Sequence, residues 1–122
     1  MLNKFLIVLM VTMLADTTPR FEVVVEAFAW VESRHNPNAV NGNCVGYLQI
    51  SPIMVREANR MAGEERFTLD DRWDKEKSID MFRVIMEKKN PTLDIDKACI
   101  IWNGRGCSQQ YKDAIKARIK EL

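Results

Sequence analysis

The feature that most constrains the fold is a series of helix-start signals that divides the sequence into short helical segments. A capping residue or a proline precedes each apolar segment, at Thr17 to Pro19, Ser51-Pro52, Asp74, either Asp94 or Asp96, and Ser108. The apolar residues that follow recur at intervals of three and four, which is the spacing of one helix face. We therefore predict five helices, at about 21–33, 52–61, 75–89, 97–102 and from 109 onward.

The segment between the first two predicted helices has a different composition. Asn, Pro and Gly are concentrated in residues 35–43, which favours a turn-rich loop. Residues 45–50 then form, at most, a short strand or an extended piece. We expect a mainly α fold, with minimal sheet and about five helices around one core.

Length and charge narrow the class of protein. A chain of 122 residues predicts one domain. Its 18 basic and 17 acidic side chains give a formal net charge of +1. That balance excludes a protein that holds nucleic acid chiefly by neutralising phosphates. We expect a monomer with no nucleic-acid partner.

The N-terminal segment differs from the rest. Lys4 precedes residues 5–15, which are apolar and uncharged apart from one threonine, and Asp16 follows. A basic residue before a short apolar run indicates a secretory signal peptide, and the run is shorter than the roughly 20 residues of a relaxed membrane span. We predict either a signal peptide at 1–15 or an uncleaved inner-membrane anchor within 1–20. Residues 16–122 then form the domain, exported to the periplasm or cell envelope.

The cysteines and the single histidine limit the metal and disulfide chemistry. Cys44, Cys99 and Cys107 permit at most one intramolecular disulfide, and the spacing leaves the pairing open. One histidine, His35, and no CxxC motif give no zinc ligand set. We expect no metal and no cofactor, and a solvated His35.

Glu32 is the least expected residue of the first helix. On a helical wheel it lies on the same stripe as Phe21, Val25 and Phe28. Burial among apolar side chains raises the pKa of a carboxyl group, so that it can act as an acid near neutral pH. A hydrogen-bonded polar residue at a helix end is the alternative interpretation.

Four motifs then occur in order over about residues 21–111. They are Glu32-Ser33, the run 36–39 (Asn-Pro-Asn-Ala), the pattern Gly46-x-x-Gln49-Ile50, and the segment from Ala98 to Gly104. Together they resemble the soluble lytic transglycosylase domain of the lysozyme-like superfamily. Trp102 stands where that family usually has Tyr, and Tyr47 where it usually has Leu.

The resemblance implies a lysozyme-like fold with a substrate groove, and an enzyme of the cell wall. Such an enzyme cleaves the glycan strand of peptidoglycan between N-acetylmuramic acid and N-acetylglucosamine, with Glu32 as acid and then base. The residues that the resemblance assigns to the substrate or to site orientation are Ser33, Gly46, Tyr47, Gln49, Trp102 and Asn103. Enzymes of this family act in wall remodelling, in wall-spanning secretion or conjugation machines, or in phages, so the resemblance implies one of these contexts.

Two alternatives remain beside this hypothesis. One is a hydrolytic lysozyme of the goose type. The other is a non-catalytic glycan-binding or structural module on the same fold. In each case we expect the groove between the end of the first helix, residues 46–50 and residues 102–104. Asn103 is expected to cap a helix as well, and Trp30 and Trp73 are expected in the core.

Overall fold

The computed structural model describes residues 19–122 and has five α-helices and a small antiparallel sheet. The elements are α1 (Phe21–Ser33), β1 (Val40–Asn41), β2 (Cys44–Val45), α2 (Pro52–Ala62), a 3-10 helix (Leu69–Trp73), α3 (Lys75–Lys89), α4 (Ile95–Asn103) and α5 (Gln109–Glu121). The mainly helical class is therefore confirmed. The predicted signal peptide or anchor lies outside the described residues. Within residues 19–122, no helix is long and apolar enough to cross a membrane.

Side-chain caps fix the starts of four helices. The side chains of Ser51, Asp74, Asp94 and Ser108 each accept a hydrogen bond from a backbone N–H in the first turn, at 2.8 to 3.3 Å. Asp94, not Asp96, caps α4, so this helix begins two residues earlier than the predicted Lys97. Each cap satisfies a donor that has no partner within its own helix.

The core forms around α1. The buried residues of this helix include Val24, Val25 and Phe28, and α1 packs against α5 while α2 packs against α3. Phe82 of α3 contacts Phe28, with ring centroids 5.2 Å apart, and Trp102 of α4, at 4.8 Å. This aromatic row joins the C-terminal halves of α1 and α4, the two elements that carry the candidate site.

The loop after α1 contains the sheet and a tight turn. Val40 pairs with Val45 and Asn41 with Cys44. Residues 45–50 are not a continuous strand, because Val45 pairs with Ile50 across a turn. Gly46 makes this turn possible. Its φ is +87°, and a Cβ there would overlap the carbonyl oxygen of Arg72.

Three features differ from the sequence predictions. The 3-10 helix Leu69–Trp73 was not predicted, and Trp73 at its end is 40% exposed instead of buried in the core. Trp30 is also outside the core: it is half-buried, with the Arg34 and Arg118 guanidinium groups 4.7 and 4.5 Å from its ring centroid. Within the described range, Cys44, Cys99 and Cys107 form no disulfide.

Candidate active site

Glu32 lies in the last turn of α1 and is held by a residue of α5. The Tyr111 hydroxyl donates a hydrogen bond of 2.7 Å to Oε2 of Glu32. Phe28 lies one helical turn before Glu32, and its ring meets the Tyr111 ring edge-on, with centroids 6.2 Å apart. The apolar stripe of α1 therefore positions the aromatic ring whose hydroxyl reaches the carboxylate.

The environment of Glu32 favours its protonated form. Burial raises the pKa of the Glu32 carboxyl above its ordinary value, and the Tyr111 hydrogen bond opposes this by stabilising the carboxylate. The predicted direction of the pKa shift is thus confirmed, and its main cause is desolvation. Burial and the nearby Glu32 charge raise the pKa of Tyr111, so its hydroxyl stays a donor.

A cavity of about 390 Å³ opens beside Glu32. Each of the three predicted segments contributes at least one lining residue. The full lining is Glu32, Asn41, Cys44, Gln49, Ser51, Ile53, Met54, Ile101, Trp102, Asn103 and Gly104. In the part of the chain that the structure describes, Glu32 is the one carboxylate among them. No group of three or more potential metal-ligating side chains occurs in residues 19–122.

Gln49 is buried at the wall of this cavity, with 7% of the residue exposed. Its Nε2 donates to the carbonyl oxygens of Ala39, at 3.1 Å, and Gly46, at 3.0 Å. Its Oε1 receives no hydrogen bond from any described residue. The backbone at Gln49 is left-handed, with φ of +53°. Gln49 therefore fixes the loop with one end of its amide and leaves an acceptor for a ligand.

Trp102 and Asn103 line the same cavity at the end of α4. Trp102 is mainly a core residue, 5% exposed, and its Nε1 donates to the carbonyl oxygen of Leu48 at 3.0 Å. Asn103 is exposed, and its side chain makes no hydrogen bond to a described residue. The prediction that Asn103 caps the helix is wrong. Gly104 is the C-cap of α4, and its N–H donates to the Ile100 carbonyl.

Three of the predicted site residues do not line the cavity. Ser33 Oγ donates to the Tyr47 carbonyl oxygen at 2.7 Å and accepts from Asn36 N–H at 3.1 Å. Tyr47 is buried and stacks on His35, and Gly46 forms the turn. Ser33, Gly46 and Tyr47 therefore shape the loop that carries Gln49.

Other residues at or near the site were not predicted from the sequence. Tyr111 is one, since its place on the apolar stripe of the last helix indicates burial but no partner. Cys44 is another. Burial and the Glu32 charge raise the pKa of its thiol, while Arg72 lowers it. His35 is not freely solvated, because its Nε2 lies 2.7 Å from Oε1 of Glu26.

An ion pair ties the two helices of the site together. Arg118 of α5 approaches Oε1 of Glu26 at 2.7 Å, and the same carboxylate pairs with His35. This contact lies about two turns before Glu32 on α1 and two turns after Tyr111 on α5. It therefore supports the alignment of the two helices that the Tyr111–Glu32 hydrogen bond requires.

Comparisons of the chain with family models, curated proteins and solved structures find no match.

Proposed function

We propose that this chain is a lysozyme-like enzyme that cleaves the glycan strand of peptidoglycan by a lytic transglycosylase mechanism. One observation carries the proposal. Glu32, which burial makes a weaker acid than usual, lines a cavity while Tyr111 holds one of its oxygens. Three of the six residues that the sequence resemblance assigns to the substrate or to site orientation line the same cavity, namely Gln49, Trp102 and Asn103.

The first step uses Glu32 as a general acid. Tyr111 donates to Oε2, so the acidic proton resides on Oε1, which has no partner among the described residues. Glu32 transfers this proton to the glycosidic oxygen, and the bond between that oxygen and C1 of the muramic acid breaks. The Tyr111 hydrogen bond stabilises the carboxylate that forms.

The second step returns the proton. The Glu32 carboxylate accepts the proton of the 6-hydroxyl of the same muramic acid, and O6 bonds to C1. The product is a 1,6-anhydro sugar, no water is consumed, and Glu32 is again protonated. One carboxyl group thus serves as acid and then as base.

The side chains that line the cavity suit an N-acetylated sugar. Met54, Ile101 and the edge of Trp102 offer an apolar surface for a sugar ring. Gln49 Oε1 and the Asn41 and Asn103 amides offer donors and acceptors for hydroxyl and acetamido groups. An apolar surface combined with a small number of placed polar groups is typical of ligand sites.

The absence of a second carboxylate at the cavity favours this mechanism over a retaining hydrolase. A retaining glycosidase uses a second carboxylate, about 5 Å from the acid, as its nucleophile. Among the described residues, Glu32 is the one carboxylate that lines the cavity. A goose-type hydrolase, in which water attacks C1, and a non-catalytic glycan-binding module are the alternatives that the experiment must separate.

Mass spectrometry of digested, purified peptidoglycan tests the proposal. A lytic transglycosylase releases muropeptides with an anhydro end, which are lighter by one water than the products of a hydrolase. We expect Glu32→Gln to abolish release and Glu22→Gln, a change in the first turn of α1, to leave it unchanged. Pelleting of the protein with the cell wall without released fragments would instead identify a binding module. We propose that the protein is exported, because its substrate lies in the cell envelope.

A further inference from the structure

The side chain of Arg72, in the 3-10 helix, reaches both ends of the loop that carries Gln49. Its Nη1 donates to the carbonyl oxygen of Asn43, at 3.2 Å, and to that of Ile50, at 3.3 Å. Asn43 directly precedes β2, and Ile50 directly follows Gln49. One guanidinium nitrogen therefore closes the segment 44–49, which supplies two lining residues of the candidate active site.

Arg72 is itself held firmly in place. Its Nε donates to the carbonyl oxygen of Leu69, one turn earlier, at 2.9 Å, which fixes the plane of the guanidinium group. The carbonyl oxygen of Arg72 accepts a hydrogen bond of 3.1 Å from the hydroxyl of Ser78, a fully buried residue of α3. The same carbonyl lies against Gly46. Arg72 therefore contacts the loop through its backbone and its side chain, and it links the loop to α3.

The backbone of this loop needs such support. Gln49 has a φ of +53°, a left-handed conformation that is unfavourable for a residue with a side chain and persists only where its surroundings hold it. Two hydrogen bonds hold the turn from within. Gln49 N–H donates to the Gly46 carbonyl at 3.1 Å, and Ile50 N–H donates to the Val45 carbonyl at 2.9 Å. Arg72 adds a restraint from a separate element, at the two points where the chain enters and leaves the turn.

We infer that Arg72 is a positioning residue of the candidate active site, which fixes the Gln49 amide by holding the two ends of its loop. This inference rests on the proposed function. Oε1 of Gln49 is the acceptor that the loop leaves for a substrate, and a small displacement of such a group lowers turnover. Arg72 does not line the cavity, so it acts through the loop and does not contact the substrate.

A double-mutant cycle with Gln49→Ala tests this inference. Arg72→Met keeps the apolar stem of the side chain and removes all its donors. We expect it to lower kcat/KM on purified peptidoglycan about fivefold to twentyfold when Gln49 is present, and less than about twofold in the Gln49→Ala background. The loss shrinks because the amide that Arg72 positions is already gone. Arg66→Met is the matched control, since Arg66 is exposed, pairs with Glu64 and does not line the cavity. It should change neither value.

The pH profile separates the loop from the acid. Arg72→Met leaves the hydrogen bond between Tyr111 and Glu32 intact, so the basic limb of kcat/KM should stay in place. A basic limb that moves as it does in Tyr111→Phe would overturn the inference, because Arg72 would then act on Glu32. Equal losses with and without Gln49 would overturn it too, since they indicate a general loss of structure. Full activity of Arg72→Met would have the same consequence.

Two further measurements keep the inference testable. If Arg72→Met does not fold, Arg72→Gln replaces it in the cycle, because its side chain is too short to bridge the two carbonyls. If the unaltered protein does not cleave peptidoglycan, the proposed function fails, and amide hydrogen exchange decides the positioning role separately. Faster exchange at Gln49 and Ile50 in Arg72→Met than in Arg66→Met supports the restraint on the loop, and equal exchange refutes it.

Discussion

The hydroxyl of Tyr111 donates a hydrogen bond of 2.7 Å to Oε2 of Glu32, although the two residues lie 79 positions apart in the sequence. This bond links the C-terminal end of α1 to the first turn of α5. It gives the carboxyl group a fixed orientation and a donor that favours its charged form. Burial favours the neutral form, so the pKa of Glu32 reflects both effects, with burial the larger.

Replacing Tyr111 with Phe is expected to move the pH profile of the enzyme. The hydrogen bond lowers the pKa of Glu32, so its removal raises that pKa further. Because the acid must be protonated, the basic limb of kcat/KM shifts to higher pH. We also expect turnover at the optimum to fall about tenfold, since one oxygen is no longer held. The measurement is kcat/KM across the pH range.

Tyr47→Phe is the matched control for this experiment. The Tyr47 hydroxyl makes no hydrogen bond with a described residue, and Tyr47 does not line the cavity. Its removal should leave the basic limb in place. A limb that stays unmoved in Tyr111→Phe, or that moves to lower pH, would show that the bond does not tune Glu32.

The stability of Glu32→Gln should depend on pH in a defined sense. The folded pKa of Glu32 is raised, so its contribution to stability is fully present below the unfolded pKa of about 4.3. This contribution is lost as pH rises through the folded value. Glu32→Gln should thus be neutral or stabilising near pH 7, and relatively less stable near pH 4, while lacking turnover. Urea unfolding at both pH values tests this, and a large loss of stability near pH 7 would contradict it.

The helices could be predicted from the sequence because their signals are local. Ser51, Asp74 and Ser108 act on backbone groups within their own first turns, so neighbouring residues suffice to identify them. The 3-10 helix is too short to show the spacing of three and four apolar residues that predicts a longer helix. The exposure of Trp73 could not be predicted either, because apolar composition alone does not say which face of a short element meets the core.

The site was predictable in part. The resemblance predicts that Glu32 and Gln49 lie at one groove, and both residues line the cavity of about 390 Å³. The contribution of Ser33 to loop geometry could not be derived, because a polar side chain in a turn can face a ligand or the backbone. The hydrogen-bond partner of Glu32 could not be predicted either. An apolar stripe that contains Tyr111 predicts a buried ring, but it does not identify the group to which the Tyr111 hydroxyl donates.

Gly46→Ala should destabilise the fold far more than Gly63→Ala. Both glycines have positive φ, at +87° and +74°, so each substitution costs about 1 kcal/mol of backbone strain. At Gly46 the new Cβ also overlaps the Arg72 carbonyl, whereas nothing lies within 4 Å at Gly63. We expect a loss of more than about 2 kcal/mol at Gly46 and about 1 kcal/mol at Gly63. Equal losses of unfolding free energy in urea would show that the overlap with the Arg72 carbonyl adds nothing to the backbone strain.

Gln49→Ala and Asn103→Ala should have similar effects on turnover and different effects on stability. Each removes an amide from the cavity, and we expect turnover to fall about tenfold to a hundredfold, or roughly 1.4–2.7 kcal/mol of transition-state stabilisation. Gln49 is buried and donates two hydrogen bonds to the loop, so its loss should cost about 1–2 kcal/mol of folding free energy. Asn103 is exposed and does not cap α4, so its loss should cost less than about 0.5 kcal/mol.

Turnover of peptidoglycan and urea unfolding of both variants test these values. A stable Asn103→Ala with full turnover would remove Asn103 from the substrate site, and full turnover in Gln49→Ala would limit that residue to loop structure.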